Sequence, residues 1–474
     1  MKHQPRSIPC QPVWSRRDML SGMGAGFGGL ALSAMLAEKA SGSEGPLAPK
    51  ESHFTPRVKR VIMLFMFGGP SHLDTFDYKP FLTRDSGKPL PAESRPRVVS
   101  FPNRMGNLVG TPFDFKRHGE SGMWMSSLFS ELPRHADDLC MINSMYCSNS
   151  RHGGAVLEWH TGTDTFVRPS MGSWITYGLG TENQNFPGYV TICQDLSQGG
   201  ANNFGSAFLP AAYQGTPLGY YGLKPQEAQI PFIGNGSARR DLQRMEIELI
   251  AGMDHRQSLS RGPDSELDAR IASFELAYRL QTEAPEMQDL TKESKATHAL
   301  YGLEDPATAE FGTQCLLARR FAERGVRFVQ CNLSGWDAHA RLKEDHTQLT
   351  HAIDKPIAGL LTDLKQRGLW DDTLVVWGGE FGRTPTCEGA DGRDHNPHGY
   401  TMWLAGGGVK GGLTWGKTDD YGYFATADKV HVHDLHATIL HLLGLDHKRL
   451  TYRYAGRDFR LTDVHGEIVD GILT

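Results

Sequence analysis

The chain has 474 residues, a formal net charge of −5 at pH 7, 39% hydrophobic and 22% charged residues. That length buries a large core, as one big α/β domain or two smaller ones. A slightly acidic balance with no basic stripe excludes nucleic acid as a natural partner.

The first forty residues read as a targeting segment. Ser15-Arg16-Arg17-Asp18-Met19-Leu20 precedes a weakly apolar run from Ser21 to Ala37, the pattern of a bacterial twin-arginine (Tat) export signal. Five glycines and two serines make that run a poor bilayer span, so membrane contact is expected only if the signal stays on as an anchor. The expected location is the periplasm or cell envelope. Residues 41–57 read as a polar linker, and 58–474 as the folded domain. Cys10 falls in the signal. Six further cysteines are too few for a disulfide framework; Cys140 and Cys147 either pair or remain two thiols.

The domain opens with Val58 to Phe67, an apolar run that predicts a central parallel strand. Residues 78–122 read as an insertion, Leu128 to His135 as a short helix and Leu139 to Met145 as a strand. Gly153 to His160 predicts a helix, and 185–235 an irregular region. Helices are expected over 239–253 and 264–282, and from Phe311 to Arg324. The strand Val326 to Leu333 follows, then a helix from His346 to Arg367, a strand at 373–377 and a last helix from Asp434 to Leu443. Strands alternating with helices predict an α/β/α sandwich around a mostly parallel sheet.

The chemistry-bearing residues gather where strands end. After Phe67 come Gly68, Gly69 and Pro70; then Asp74 and Asp77 suit a metal and Ser71 or Thr75 a bound oxyanion, or the segment is an Asx or Ser turn. Ser150, Arg151 and His152 precede a helix whose N-terminal amides suit an anion, with Ser150 alternatively a plain N-cap. Asp337 and His339 form a D-x-H pair, and Glu380, His395 and His398 follow in later loops. Carboxylate with imidazole favours Zn, Mn or Fe over Mg or Ca. His346 and His351 are expected to face solvent. A serine elbow, a P-loop and a dinucleotide fingerprint are all missing from the sequence.

Together the twin-arginine start, Phe67 to Asp77, Gly335-Trp336-Asp337-Ala338-His339, Gly378 to Pro385 and Gly392-Arg393-Asp394-His395 resemble the exported bacterial family DUF1501, from about residue 58 to the C-terminus. His433 to Leu445 is similar to a sulfatase helix. The resemblance implies an alkaline phosphatase-like fold with one or two divalent metals at the C-terminal edge of the sheet. It places Asp337 and His339 as a ligand pair, Glu380 where relatives carry Asp-His, and His395 or His398 as a late ligand. Asp74 would stand in for a first-strand aspartate. Phe381 follows Glu380 where the pattern has histidine. Cys147-Ser148-Asn149-Ser150-Arg151 is similar to a sulfatase signature, with Asn149 in place of proline.

The resulting expectation is a metal-dependent hydrolase of phosphate or sulfate esters acting on an anionic small molecule or polysaccharide. Ser150 or water is the attacking group, His152 joins it in the catalytic set, and Arg151 or Arg383 holds the anion. The metal ligands come from Asp74, Asp337, His339, Glu380, His395 and His398. The rival expectation is a non-catalytic envelope protein of the same fold that binds an anionic glycan or a protein.

Overall fold

Eight consecutive residues of the first strand, Arg60–Phe67 (β1), are buried, because the strand lies in the middle of a sheet covered on both faces. The computed structural model describes residues 46–95, 105–225, scattered positions between 242 and 253, and 265–474. The export segment expected over 1–40 lies outside them. The elements that build the domain are β2 (Leu139–Tyr146), α1 (His152–Thr161), β3 (Tyr189–Gln194), β4 (Thr216–Tyr220), α2 (Pro306–Glu323) and β5 (Phe328–Ser334). They continue with α3 (Leu342–Gln366), β6 (Thr373–Gly378), β7 (Gly382–Glu388), β8 (Gly392–Asn396), β9 (Tyr400–Gly406), β10 (Leu413–Trp415), β11 (Val430–His431) and α4 (Val432–Leu442).

The main sheet runs β10-β2-β9-β6-β1-β5-β3-β4, with β11 also pairing β2. β1 pairs in parallel with β5 and β6, while β9 runs antiparallel to both β2 and β6. Strands β1, β2, β5, β6 and β10 therefore all end at one edge. Helices cover both faces. On one, Phe65 and Phe67 of β1 meet Trp159 and His160 of α1. α4 joins this layer through His436, whose Nε2–H donates to Trp159 O at 2.6 Å. On the other, Cys331 of β5 reaches Gln314 O of α2, and Arg319 of α2 pairs with Asp363 of α3 at 2.9 Å. The α/β sandwich expected from the sequence is thus what the strand order gives.

Several local expectations need correction. The helix expected at Leu128 is a 3-10 turn over Leu132–Asp138. Residues 78–122 include a strand, Phe115–His118, that forms a hairpin with Met123–Ser126. The region 185–235, expected to be irregular, supplies β3 and β4. β9 was not expected at all, although Trp403 stacks flat on Trp377 of β6, their centroids 5.9 Å apart. Segments expected as loops after Glu380 form the β7/β8 hairpin. The described positions between 242 and 253 are helical, as is Ser265–Gln288. Among the described residues no helix is long and apolar enough to cross a membrane. The six described cysteines, Cys140 and Cys147 among them, are free thiols.

Candidate metal centre

The common edge of the parallel strands gathers residues that are far apart in sequence. Gly68 follows β1, Ser150 to His152 link β2 to α1, Asp337 and His339 follow β5, and Glu380 follows β6. The β7/β8 hairpin adds Arg383, Glu388 and His395. Two glycines permit the crowding. Gly68 has φ +110°, and a Cβ there would lie 2.5 Å from Asp337 N; at Gly69 (φ +76°) it would lie 2.7 Å from Phe381 O.

Three imidazoles converge on one carboxylate oxygen. Nε2 of His152, His339 and His395 lie 3.1, 3.0 and 3.2 Å from Asp337 Oδ1. The Nε2 atoms of His339 and His395 are 2.9 Å apart. Each ring turns its other nitrogen to an oxygen acceptor: His152 Nδ1 to Glu380 at 2.6 Å, His395 Nδ1 to Ser150 O at 2.8 Å, and His339 Nδ1 to Glu388. An Nδ1 facing an acceptor carries the proton, so in the neutral rings all three Nε2 lone pairs point at the same place. Nε2 of His152 is buried and in no hydrogen-bonding geometry. Carboxylates and carbonyls behind ligating histidines are the usual outer layer of a metal site, and three nitrogens with one carboxylate oxygen suit Zn, Mn or Fe. The four side chains fit a divalent cation.

The electrostatics match a place built for positive charge. Burial works against the Asp337 carboxylate, but the three imidazoles and the Arg383 guanidinium gathered around it hold it well below the usual range. Burial disfavours a charged His152, yet Asp337 and Glu380 raise it to about 9. Burial, only partly offset by Asp337, lowers His395 to about 4. The hydrogen bond to Asp337 raises His339.

The other expected site residues fall into two groups. Glu380 is fully buried and serves behind His152, accepting also from Gly68 N at 3.0 Å. Arg383 is buried as well, with Nε on Gly69 O, Nη1 on Arg393 O, and Nη2 on Gly68 O and, at 2.6 Å, on Asp337 Oδ1. It braces the loops, and burial keeps it from holding an anion. Asp74 is not in the cluster: Arg393 takes its carboxylate at 2.8 and 3.3 Å, and Ser71 Oγ donates to it. His398 packs near Tyr423 and Phe424 instead. Ser150 offers its carbonyl to His395, the N-cap of α1 is Arg151, and the Arg151 side chain is exposed.

The remaining expectations are also revised. Ser71 and Thr75 are fully buried in internal hydrogen bonds and face no oxyanion. Asp77 pairs with Lys79 at 3.0 Å and with Thr418. Burial pushes the Cys147 thiol up, and the thiol sits against Asn149 O. His346 is fully buried, accepting from Ser71 N at 3.0 Å, rather than facing solvent. His152, expected in the catalytic set, stands instead among the candidate ligands, and two further roles were missed. Glu388 was legible only through the alternation Arg383-Thr384-Pro385-Thr386-Cys387-Glu388 before the turn at Gly389. Phe381, standing where a ligand was expected, stacks on His395 at 4.6 Å and contacts His152 at 4.9 Å, so it orients two rings.

Fold and cluster define an α/β protein with a three-histidine, one-aspartate centre at the C-terminal edge of its sheet. Residues 58–473 match the family described as "Protein of unknown function (DUF1501)", and the chain belongs to that family. No curated protein matches it. Solved structures similar to it include the lipoteichoic acid synthase LtaP from Listeria monocytogenes (11% identity, TM-score 0.34, 89% of this chain and 79% of that one). A protein in the alkaline phosphatase superfamily from Vibrio parahaemolyticus is similar at 11% identity, TM-score 0.35, over 85% and 70%. A sulfatase from Pseudoalteromonas sp. is similar at 11%, TM-score 0.34, over 82% and 68%.

Proposed function

We propose that the protein is an exported, metal-dependent hydrolase of phosphate or sulfate esters, working in the periplasm or cell envelope on an anionic small molecule or polysaccharide. The observation that carries this reading is the convergence of three Nε2 lone pairs on Asp337 Oδ1, each ring locked from behind. His152, His339, His395 and Asp337 would hold one divalent Zn, Mn or Fe ion. Such an ion supplies Lewis acidity toward an ester oxygen. Glu380, Glu388 and the Ser150 carbonyl fix the rings, and Phe381 shields their faces. The cluster opens to solvent on the side of Asp337 and His339, whose side chains are 42% and 31% exposed. Beside it, the exposed Arg151 guanidinium and the first amides of α1, which have no partner within the helix, orient an incoming anion.

A second reading rests on one contact. Arg383 reaches the oxygen that would bind the metal, so the cluster can satisfy itself with guanidinium and imidazolium. That favours a non-catalytic protein of the same fold that binds an anionic glycan or a protein partner.

Elemental mass spectrometry of purified protein, beside Asp337→Ala and His395→Ala, separates the two when combined with turnover of para-nitrophenyl phosphate and sulfate. Near-stoichiometric metal that falls in both variants, with turnover of either ester, supports the hydrolase. Metal without turnover favours the binding protein. A folded wild type that takes up no metal on reconstitution sinks the metal reading.

A further inference from the structure

A second concave site lies at the same sheet edge, towards the β10 end. It is a cleft of about 450 Å³, between the segment that follows β1 and the one that follows β10. That volume is within the roughly 300–1,000 Å³ of small-molecule sites. Its buried end is the Asp77–Lys79 pair, 3.0 Å apart, with side chains only 7% and 13% exposed. Thr418 Oγ1 donates to the other oxygen of Asp77. Asn143 lines the wall with its carbonyl oxygen already taken by Thr401, which leaves its amide group as a donor.

The aromatic wall is fixed before any ligand arrives. Tyr78 stacks on Phe115 at 5.1 Å and leans on Trp124 at 4.8 Å. Phe81, 41% exposed at the mouth, carries the Arg84 guanidinium over its ring at 4.2 Å.

The lining holds two lysines and three aspartates, and the Arg84 guanidinium at the mouth is paired with Asp85 at 2.6 Å, so no net positive charge draws an anion. Asp77 and Lys79 neutralise each other; both Asp77 oxygens are taken, by Lys79 and Thr418, so the remaining N–H groups of the ammonium are what the pair offers a ligand. Ring C–H faces suit the aromatic wall, and hydroxyl oxygens suit the ammonium and amide donors. We propose that this cleft binds an uncharged saccharide unit. The site stands on its own residues, shares none with the metal centre, and holds whether or not that centre turns out to be catalytic.

The test is calorimetric titration of the whole protein with neutral disaccharides (maltose, cellobiose, lactose, diacetylchitobiose), with glucuronate and glucosamine as charged controls. At least one neutral sugar is expected to bind saturably. Lys79→Met is expected to weaken it by about tenfold or more, the loss of a hydrogen bond to a charged group. Phe81→Ala should weaken it less, and Asp337→Ala should leave it unchanged. If Lys79→Met does not fold, Phe81→Ala and Lys417→Ala, both on exposed positions, carry the comparison. Failure of every neutral sugar to bind would overturn the proposal. So would tighter binding of either charged control, or affinity unaltered by every cleft variant.

Discussion

Glu388 holds Nδ1 of His339 from behind while Nε2 of the same ring faces Asp337 at 3.0 Å. One imidazole thus links a buried hairpin carboxylate to the open side of the cluster. Replacing Glu388 with Gln keeps the shape and removes the charge that makes His339 a strong donor. The expected outcome is metal affinity weakened by about 10–100-fold with little change in melting temperature. Chelator competition measures it; unchanged affinity would show that Glu388 is only packing.

Gly68 predicts a steric failure. Its φ of +110° and the 2.5 Å approach of a Cβ to Asp337 N leave no room for alanine. Backbone strain of about 1–3 kcal/mol adds to overpacking of similar size. Gly68→Ala should lower the denaturation midpoint by several kcal/mol equivalent and disturb the Glu380 contact. A variant as stable as wild type would refute the tight-approach reading.

Asp74 provides a contrast with Asp337. Its carboxylate and the Arg393 guanidinium are both buried, so Asp74→Ala leaves a positive charge stranded in the interior. The expected cost is about 3–5 kcal/mol, read from chemical denaturation. Whatever fraction folds should still carry metal. Loss of metal at unchanged stability would instead return Asp74 to the ligand set.

Acid sensitivity follows from three interior imidazoles. Burial lowers His160 and His346 from 6.5 to about 4, and His436 to about 3. Their bonds agree with neutral rings: His160 donates to Val156 O and accepts from Gln330, and His346 accepts from Ser71 N. Below pH 6.5 the unfolded chain takes up protons that the folded chain refuses. The stabilisation is therefore full above about 6.5 and drains away as pH falls towards 4, by at most ~1.4 kcal/mol per pH unit for each ring. Melting curves of chelated protein from pH 7 to 4 should slope downward, and His160→Gln should flatten them. A flat wild-type profile would mean that these rings take up protons in the fold as readily as in the unfolded chain.

How much of this was legible depends on the kind of signal. β1, β2, β5 and β6 announce themselves as apolar runs, and α1, α2, α3 and α4 fall within a few residues of where the periodicity puts them. β9 carries the same apolar run, Tyr400 to Ala405, but it sits just after a histidine-rich stretch that reads as loop. β3 and β4 are short, and β4 is interrupted by Pro217 and Gly219. At the site, Asp337, His339 and His395 stand out by residue type and position. The outer partners do not. No spacing rule says that Glu388 backs His339, that a backbone carbonyl at Ser150 orients His395, or that Arg393 claims Asp74. Those depend on how segments from 49 to 319 residues apart meet at one edge, which only the assembled sheet decides.

The central place of β1 has a consequence for synthesis. Its neighbours β5 and β6 begin at Phe328 and Thr373. At about 5–20 residues per second, a ribosome takes roughly 15–60 s to add the roughly 300 residues that separate β1 from β6. Until β5 has been made the nascent segment Arg60–Phe67 has no partner strand on either side, and until β6 follows it lacks one, so its Val-Ile-Met-Leu-Phe-Met-Phe run is a template for wrong pairing. Closure of the sheet around β1 therefore waits until β6 has been made. A ribosome stalled before Gly378 releases a polypeptide that can neither complete its sheet nor bring Glu380 to His152.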